Sequence, residues 1–163
     1  MTGRGTGIDD ATWHHKVAVV EAALARHRAG PGQDGSPGPG EPLAALASLG
    51  GLEIAALAGF VVGGVAARVP VVVDGVIADA ALLVAEALVP GVVEGVIAGH
   101  RSTEPGATAT LAHLDLAPLL DLDLRLGEGS GACLALPLLD AAAAILREMA
   151  TFGDAGVTER REP

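Results

Sequence analysis

One acidic residue of this chain stands in a setting suited to proton transfer. Gly127 and Gly129 flank Glu128, and the segment 127–131 has the sequence Gly-Glu-Gly-Ser-Gly. Glycines leave the carboxylate unshielded and let the backbone approach a ligand closely. The segment precedes a predicted helix, whose first N–H groups and dipole favour anions. We predict that Glu128 is a general base near neutral pH; the alternative is a turn glutamate that helps to start the helix.

A second polar corner, residues 100–106, has the sequence His-Arg-Ser-Thr-Glu-Pro-Gly. It follows a predicted strand and precedes a predicted helix. The hydroxyls of Ser102 and Thr103, with nearby backbone N–H groups, can bind a phosphate; the alternative is ordinary N-capping. His100 adds a donor to an acidic protein; alternatively it is a core histidine with a satisfied hydrogen bond.

Two further positions are candidates for ligand contact. Lys16 is the only lysine, and a point cation beside the Gly-Thr-Gly sequence at 5–7 suits an anionic substrate group. The alternative is a solvated helix residue. Asp74 and Gly75 end a β-branched run, where Asp74 can orient a ribose hydroxyl; the alternative is a tight turn.

Composition excludes several classes of function. The chain has 163 residues, enough for one domain, and 50% of them are hydrophobic, which excludes disorder of the whole chain. A net charge of −10 argues against nucleic-acid binding. The single cysteine, Cys133, cannot form an intramolecular disulfide or a thiolate-rich metal site. No histidines stand at metal-ligand spacing, so no metal site is expected.

Targeting signals are not evident in the sequence. The polar N-terminus lacks the apolar core of an export signal. The longest charge-free apolar run, Ile54 to Ala67, has 14 residues, fewer than the roughly 20 that span a bilayer. We expect a cytoplasmic chain with a buried helix at this run and no membrane association.

Helical and strand patterns alternate along the chain. This order predicts an α/β domain with helix–sheet–helix layers and a mostly parallel, Rossmann-like sheet. Ligands of such sheets bind outside the carboxyl ends of the strands. We expect one incomplete domain over residues 1–152, a flexible Gly/Pro-rich loop at 29–41 and a frayed tail at 153–163. The predicted helices span 10–27, 42–48, 52–68, 76–88, 106–113 and 130–150; the predicted strands are 69–73 and 92–98, and 118–126 is a half-exposed strand or extended segment.

The order of the motifs resembles one known family. The matching segments resemble the C-terminal half of nicotinate-nucleotide–dimethylbenzimidazole phosphoribosyltransferases, over about Gly3 to Phe152. They are Gly-Arg-Gly-Thr-Gly-Ile-Asp-Asp at 3–10, Lys-Val at 16–17, Leu-Gly-Gly-Leu-Glu-Ile-Ala-Ala-Leu-Ala-Gly at 49–59, Val-Val-Asp-Gly at 72–75, the corner at 100–106, and Arg-Leu-Gly-Glu-Gly-Ser-Gly-Ala at 125–132.

The resemblance implies a reaction in cobalamin lower-ligand synthesis. Nicotinate mononucleotide gives its phosphoribosyl group to 5,6-dimethylbenzimidazole, which yields α-ribazole 5′-phosphate and nicotinate. By resemblance Glu128 takes the benzimidazole proton, while Lys16, Gly75 and Ser102 with the turn around them hold phosphate and ribose. No metal or cofactor is implied, and a homodimer is expected because family members are dimers.

Family members also carry an N-terminal half with a second acidic, glycine-rich segment and most of the benzimidazole pocket. Nothing in this chain matches that half, and residues 1–10 have the character of a mid-protein loop. The resemblance therefore implies that activity needs a complementing N-terminal half. The alternative is a non-catalytic remnant of the family that binds a nucleotide phosphate or a protein partner.

Overall fold

The computed structural model describes residues 1–5, 7–28 and 41–157. Within these ranges helices alternate with two parallel strands, as the sequence pattern predicts. The elements are α1 (Asp10–Arg28), α2 (Glu41–Leu49), α3 (Leu52–Ala66), β1 (Val71–Asp74), α4 (Val76–Leu88), a 3-10 helix (Val92–Gly95), β2 (Val96–His100), α5 (Pro105–His113) and α6 (Ser130–Glu148).

The sheet places the ends of both strands side by side. Val71 of β1 is paired with Val96 of β2, and the register then shifts, so that Asp74 is paired with His100. Both polar side chains therefore stand at the carboxyl edge of the sheet, where ligands of parallel sheets bind. The adjoining segment extends the sheet briefly, since the N–H of Leu120 donates to the carbonyl of Gly99 at 3.1 Å.

Helices cover both faces of the sheet. Val71, Val73 and Val96 point to one face and form a core with Ala58 of α3 and Leu82 of α4, all of them buried. On the opposite face α6 contacts both strands. Gly99 permits this approach, because a Cβ there would lie 3.1 Å from the Cα of Ala132 in α6. The helix–sheet–helix arrangement is thus confirmed.

The apolar run predicts a strand from residue 92, but β2 begins only at Val96, and the side chain of Glu86 accounts for the difference. Its carboxylate accepts hydrogen bonds from the N–H groups of Gly91 at 2.8 Å and Val93 at 3.0 Å. These bonds lower the pKa of Glu86 and hold the chain in a turn. The run consequently starts as a 3-10 helix and becomes a strand only at Val96.

Two other expectations differ from the structure. The segment 118–126 pairs with β2 only around Leu120, because Asp123 adopts a φ of 53° and ends the extended backbone. The helix expected to be buried, α3, is buried only at Ala58 and Val61, and it exposes 67% of Phe60. α3 packs on α4, on β1 and on the 3-10 helix.

The outer side of α6 is strongly apolar and exposed. Leu134 and Leu146 are 52% and 88% exposed. Only 11% of the most apolar 18-residue stretch of α6 is buried. By length and composition alone α6 could cross a membrane, a test that core helices of water-soluble proteins also pass. Asp140 lies in its middle, Pro137 lies inside it, and its N-terminus is fixed to the sheet edge. We therefore interpret α6 as a packing helix.

Some predicted segments fall outside the described residues. These are the loop at 29–40 and the last residues of the tail, 158–163. Residue 41 of the predicted loop is the first residue of α2. At the start of α1, the carboxylate of Asp9 accepts the N–H of Thr12 at 2.8 Å, which caps the helix and lowers the pKa of Asp9.

Replacing Leu82 by alanine tests the position of the core. Leu82 is fully buried, so Leu82→Ala should lower the free energy of unfolding by about 2–5 kcal/mol through lost burial and a cavity. The matched control is Leu146→Ala on α6, which should change it by less than about 0.5 kcal/mol. Urea denaturation measures both values, and equal losses would contradict this placement of the core.

Candidate functional site

A cavity of about 620 Å³ opens at the carboxyl ends of β1 and β2. Its wall combines these strand ends with the start of α4, the start of α5, the N-terminal segment and the turn before α6. The lining residues that matter below are Gly5, Asp74, Gly75, His100, Ser102, Glu104, Arg125, Gly127, Glu128 and Gly131.

Asp74 joins the sheet edge to the start of α6. Its Oδ2 accepts hydrogen bonds from the N–H of Gly131 at 2.8 Å and the N–H of Ala132 at 3.2 Å. A carboxylate at this position satisfies two N–H groups that have no partner within the helix and interacts favourably with the helix dipole. Asp74 thus caps α6 from 57 residues away in sequence and fixes where the helix begins.

His100 lies against the same carboxylate. Its side chain is 2% exposed, and its Nδ1 lies 3.5 Å from Oδ1 of Asp74. The N–H of Leu122 donates to Nε2 at 3.3 Å, which makes Nε2 an acceptor and assigns the proton of a neutral ring to Nδ1. His100 therefore directs an N–H towards Asp74. It is both a buried, hydrogen-bonded histidine and a lining residue of the cavity.

Only glycine fits at position 131. A Cβ on Gly131 would collide with Cβ of His100 and with the carboxylate of Asp74. The small residue after Ser130 is therefore required by the packing of α6 against the sheet edge. This contact explains one of the three glycines of the 127–131 segment.

The other two glycines shape an unusual turn around Glu128. Gly127, Glu128 and Gly129 have φ angles of 80°, 58° and 72°, so three successive residues are left-handed. For glutamate this conformation costs about 1–2 kcal/mol. The hydroxyl of Ser130 donates to the carbonyl of Gly127 at 2.7 Å and closes the turn. Gly129 is the N-cap residue of α6, and no side chain caps the helix from that position, so Glu128 is not the cap.

Ser102 sits at the turn between β2 and α5. Its Oγ accepts the N–H of Glu104 at 3.3 Å, which leaves its hydroxyl hydrogen available for a ligand. The N-cap residue of α5 is Glu104, and no side chain caps α5 from that position. Ser102 is therefore not the N-cap of α5, which was the alternative role for this residue. Thr103 is exposed and lies outside the cavity lining.

Lys16 and Gly129 also lie outside the lining of the cavity, although both stand next to residues that line it. The ammonium of Lys16 donates to the carbonyl of Gly3 at 2.9 Å and lies 3.9 Å from the place a Cβ of Gly5 would take. Gly75 lines the cavity with a φ of 87°, a backbone conformation that favours glycine.

Two lining residues escaped the sequence analysis as individual candidates. Arg125 lines the cavity that also holds Glu128. The one sequence feature that could have indicated Arg125 is its position three residues before Glu128. Glu104 lines the cavity from the start of α5, and its Oε1 accepts the N–H of Gly5 at 3.1 Å. No sequence pattern indicates a contact across 99 residues.

Asp79 is a buried acid close to the site. It is 2% exposed, and its Oδ2 has no hydrogen-bond partner among the described residues. Burial, and secondarily the charge of Asp74, raises the pKa of Asp79 from 3.8 to about 7. At neutral pH a large share of this carboxyl group is therefore protonated.

A second cavity, of about 650 Å³, lies between α1 and α2 and is lined in part by Arg26 and His27. No carboxylate is among its described lining residues. Over residues 1–5, 7–28 and 41–157, no group of three or more His, Cys, Asp or Glu side chains is placed to hold a metal ion.

The fold and the cavity define the class of protein: an α/β domain with a cavity at the carboxyl ends of parallel strands, where such domains bind ligands. The DBI_PRT phosphoribosyltransferase family model matches residues 1–157. The chain belongs to this phosphoribosyltransferase family.

Relatives of known name agree with the family assignment. The nicotinate-nucleotide–dimethylbenzimidazole phosphoribosyltransferase of Salinispora tropica is 54% identical over 160 residues, which are 98% of this chain and 42% of that protein. The same identity holds over 162 residues for the enzyme of that name from Chloroflexus aggregans, covering 99% of this chain and 44% of the relative. The chain thus spans less than half the length of these curated relatives.

A solved structure shows the same fold. CobT from Thermus thermophilus superposes with a TM-score of 0.85 at 46% sequence identity. The match covers 98% of this chain and 45% of that one. The resemblance stated from the motifs is therefore confirmed at the level of family and fold.

Asp79 gives the stability of the protein a specific dependence on pH. Between pH 3.8 and about 7 the folded chain holds a proton on Asp79 that the unfolded chain has lost. The contribution of Asp79 to stability is therefore full below pH 3.8, falls as the pH rises and is lost above about 7. The asparagine of Asp79→Asn cannot ionise. The free energy of unfolding of this variant should therefore gain on that of wild type as the pH rises from 3.8 to about 7, and the difference should stay constant at higher pH.

Urea denaturation at a series of pH values measures this advantage. Asp140→Asn, at an exposed position of α6, is the matched control. A difference in stability between Asp79→Asn and wild type that does not change with pH would show that folding leaves the pKa of Asp79 unshifted.

Proposed function

We propose that this chain is the part of a nicotinate-nucleotide–dimethylbenzimidazole phosphoribosyltransferase that carries the catalytic base. The transferred group is phosphoribosyl, the donor is nicotinate mononucleotide and the acceptor is 5,6-dimethylbenzimidazole. The observation that carries the proposal is Glu128, held in a left-handed turn at the rim of the cavity. Membership of the family and the names of the relatives support the choice of substrates.

The proposed chemistry needs one base. The unprotonated ring nitrogen of dimethylbenzimidazole attacks C1′ of the ribose from the face opposite the nicotinate. A C–N bond forms as the bond to nicotinate breaks, and the electron pair of the broken bond returns to the pyridine nitrogen. Glu128 takes the proton from the other benzimidazole nitrogen. Attack from the opposite face converts the β-linked ribose to the α-linked product.

Backbone strain supports this role for Glu128. A left-handed glutamate is unfavourable, and such strain persists only where the surrounding structure enforces it. Here Asp74 fixes the start of α6, and Ser130 closes the turn onto Gly127. The carboxylate is thereby positioned without occupying its own hydrogen-bonding capacity in a helix cap.

The phosphate and ribose need donors and cations around the same cavity. Ser102 has a hydroxyl hydrogen to donate, and Gly75 lets the backbone approach the ligand. Arg125 supplies positive charge from the wall, and Lys16 supplies it from beside Gly5. We propose that these groups hold the ribose phosphate, with further contributions from His100, Thr103 and the backbone of Gly127 and Gly129.

A second polypeptide segment is proposed to complete the site. The region that matches this chain makes up only 42–44% of the length of these relatives. The exposed apolar faces of α3 and α6 offer surfaces against which such a segment can pack. We further propose a cytoplasmic location and a homodimeric assembly of the completed enzyme.

Glu128→Gln tests the base. The substitution keeps the size of the side chain and removes its basicity. In an assembly of this chain with the part of the Salinispora tropica relative that it does not match, kcat should fall by roughly 10²–10⁴-fold. Chromatography of α-ribazole phosphate measures turnover, and urea denaturation should show little change in stability.

Glu148→Gln, at the exposed end of α6, is the control and should leave kcat unchanged. Undiminished turnover by Glu128→Gln would remove Glu128 from the base role. Binding of nicotinate mononucleotide by calorimetry, without turnover in the wild-type assembly, would favour the non-catalytic remnant instead.

A further inference from the structure

Glu104 makes a contact that its position at a helix start does not explain. It is the N-cap residue of α5 but does not cap that helix with its side chain. Its carboxylate instead reaches the N-terminal segment, where Oε1 accepts the N–H of Gly5 at 3.1 Å. Glu104 and Gly5 both line the cavity that contains Glu128 and Ser102.

The glycines of the N-terminal segment are shaped to this carboxylate. A Cβ on Gly3 would collide with Oε2 of Glu104, so a larger residue at this position would displace the carboxylate from its present place. Gly5 has a φ of 63°, a backbone conformation that favours glycine, and its N–H donates to Oε1. The glycine pattern of residues 3–5 is therefore explained by an intramolecular carboxylate.

Lys16 holds the same segment from the other side. Its ammonium donates to the carbonyl of Gly3 at 2.9 Å and lies close to Gly5. The ion pairs among the described residues do not include one between Lys16 and Glu104, so the two side chains contact the segment separately. The position of the lysine charge at the rim depends on the position of the Gly3 carbonyl.

We propose that Glu104 is a positioning residue: its carboxylate fixes residues 3–5 at the cavity rim and, through the Gly3 carbonyl, directs the Lys16 ammonium towards the phosphate of the substrate. This inference rests on the proposed function. Because Glu104 acts through the lysine, it affects binding of the anionic substrate and does not affect proton transfer at Glu128.

Substitutions on both sides of the contact test the inference. Glu104→Ala removes the acceptor and should weaken binding of nicotinate mononucleotide roughly tenfold, the loss expected for one hydrogen bond to a charged group. Glu104→Gln keeps an oxygen acceptor and should restore most of the affinity. Gly3→Ala displaces the carboxylate and should reproduce the loss. Glu94→Ala, an exposed acid away from this cavity, is the control.

Calorimetry with nicotinate mononucleotide measures the affinity of each variant in the completed assembly, and steady-state kinetics separate KM from kcat. KM should rise in Glu104→Ala while kcat stays within about twofold of wild type. The losses in Glu104→Ala and Lys16→Ala should be non-additive in the double variant, since both act through Gly3.

Unchanged affinity in Glu104→Ala, fully additive losses, or a fall in kcat at constant KM would each overturn the inference. A wild-type assembly that binds the mononucleotide but produces no α-ribazole phosphate would contradict the proposed function. The affinity comparison would then still decide the role of Glu104, because it does not depend on turnover.

Discussion

The site depends on one buried carboxylate, Asp74, that binds the N-terminus of a helix remote in sequence. Asp74 stands at the end of β1 and accepts N–H groups of Gly131 and Ala132. This interaction joins the sheet edge to α6, and the turn that presents Glu128 precedes that helix directly. His100 and Gly131 complete the junction, the first by facing Asp74 with its ring N–H and the second by leaving room for the contact.

The cavity rim is assembled from segments that lie far apart in the chain. The N-terminal segment is held at the rim by Glu104, at the start of α5. The turn before α6 is held there by Asp74, at the end of β1. Carboxylates therefore have two separate tasks in this acidic protein. Asp74 and Glu104 accept backbone N–H groups and hold segments in place, while Glu128 lines the cavity and does not cap the helix that follows it.

Alternating patterns in the sequence sufficed to predict the helices and both parallel strands. They also predicted that polar residues cluster at the carboxyl ends of these strands. Local patterns also pointed to two residues of the cavity wall, Glu128 between its glycines and Ser102 after the second strand, and the family resemblance then implied their roles. Residue types could not show that Asp74 caps α6, because that bond joins positions 57 residues apart. The exposure of α3 was also hidden, since an apolar helix predicts burial without specifying the partner that buries it. Asp79 gave no signal because its raised pKa arises from tertiary burial.

The most direct test of the account is an NMR titration of the isotopically labelled chain, in the completed assembly, with nicotinate mononucleotide. The account predicts that the amide signals of Ser102, Gly127, Gly129 and Gly131 shift together and saturate with a single affinity, because they border one ligand site. Shifts confined to the cavity between α1 and α2, or saturable binding that leaves residues 127–131 unperturbed, would contradict it.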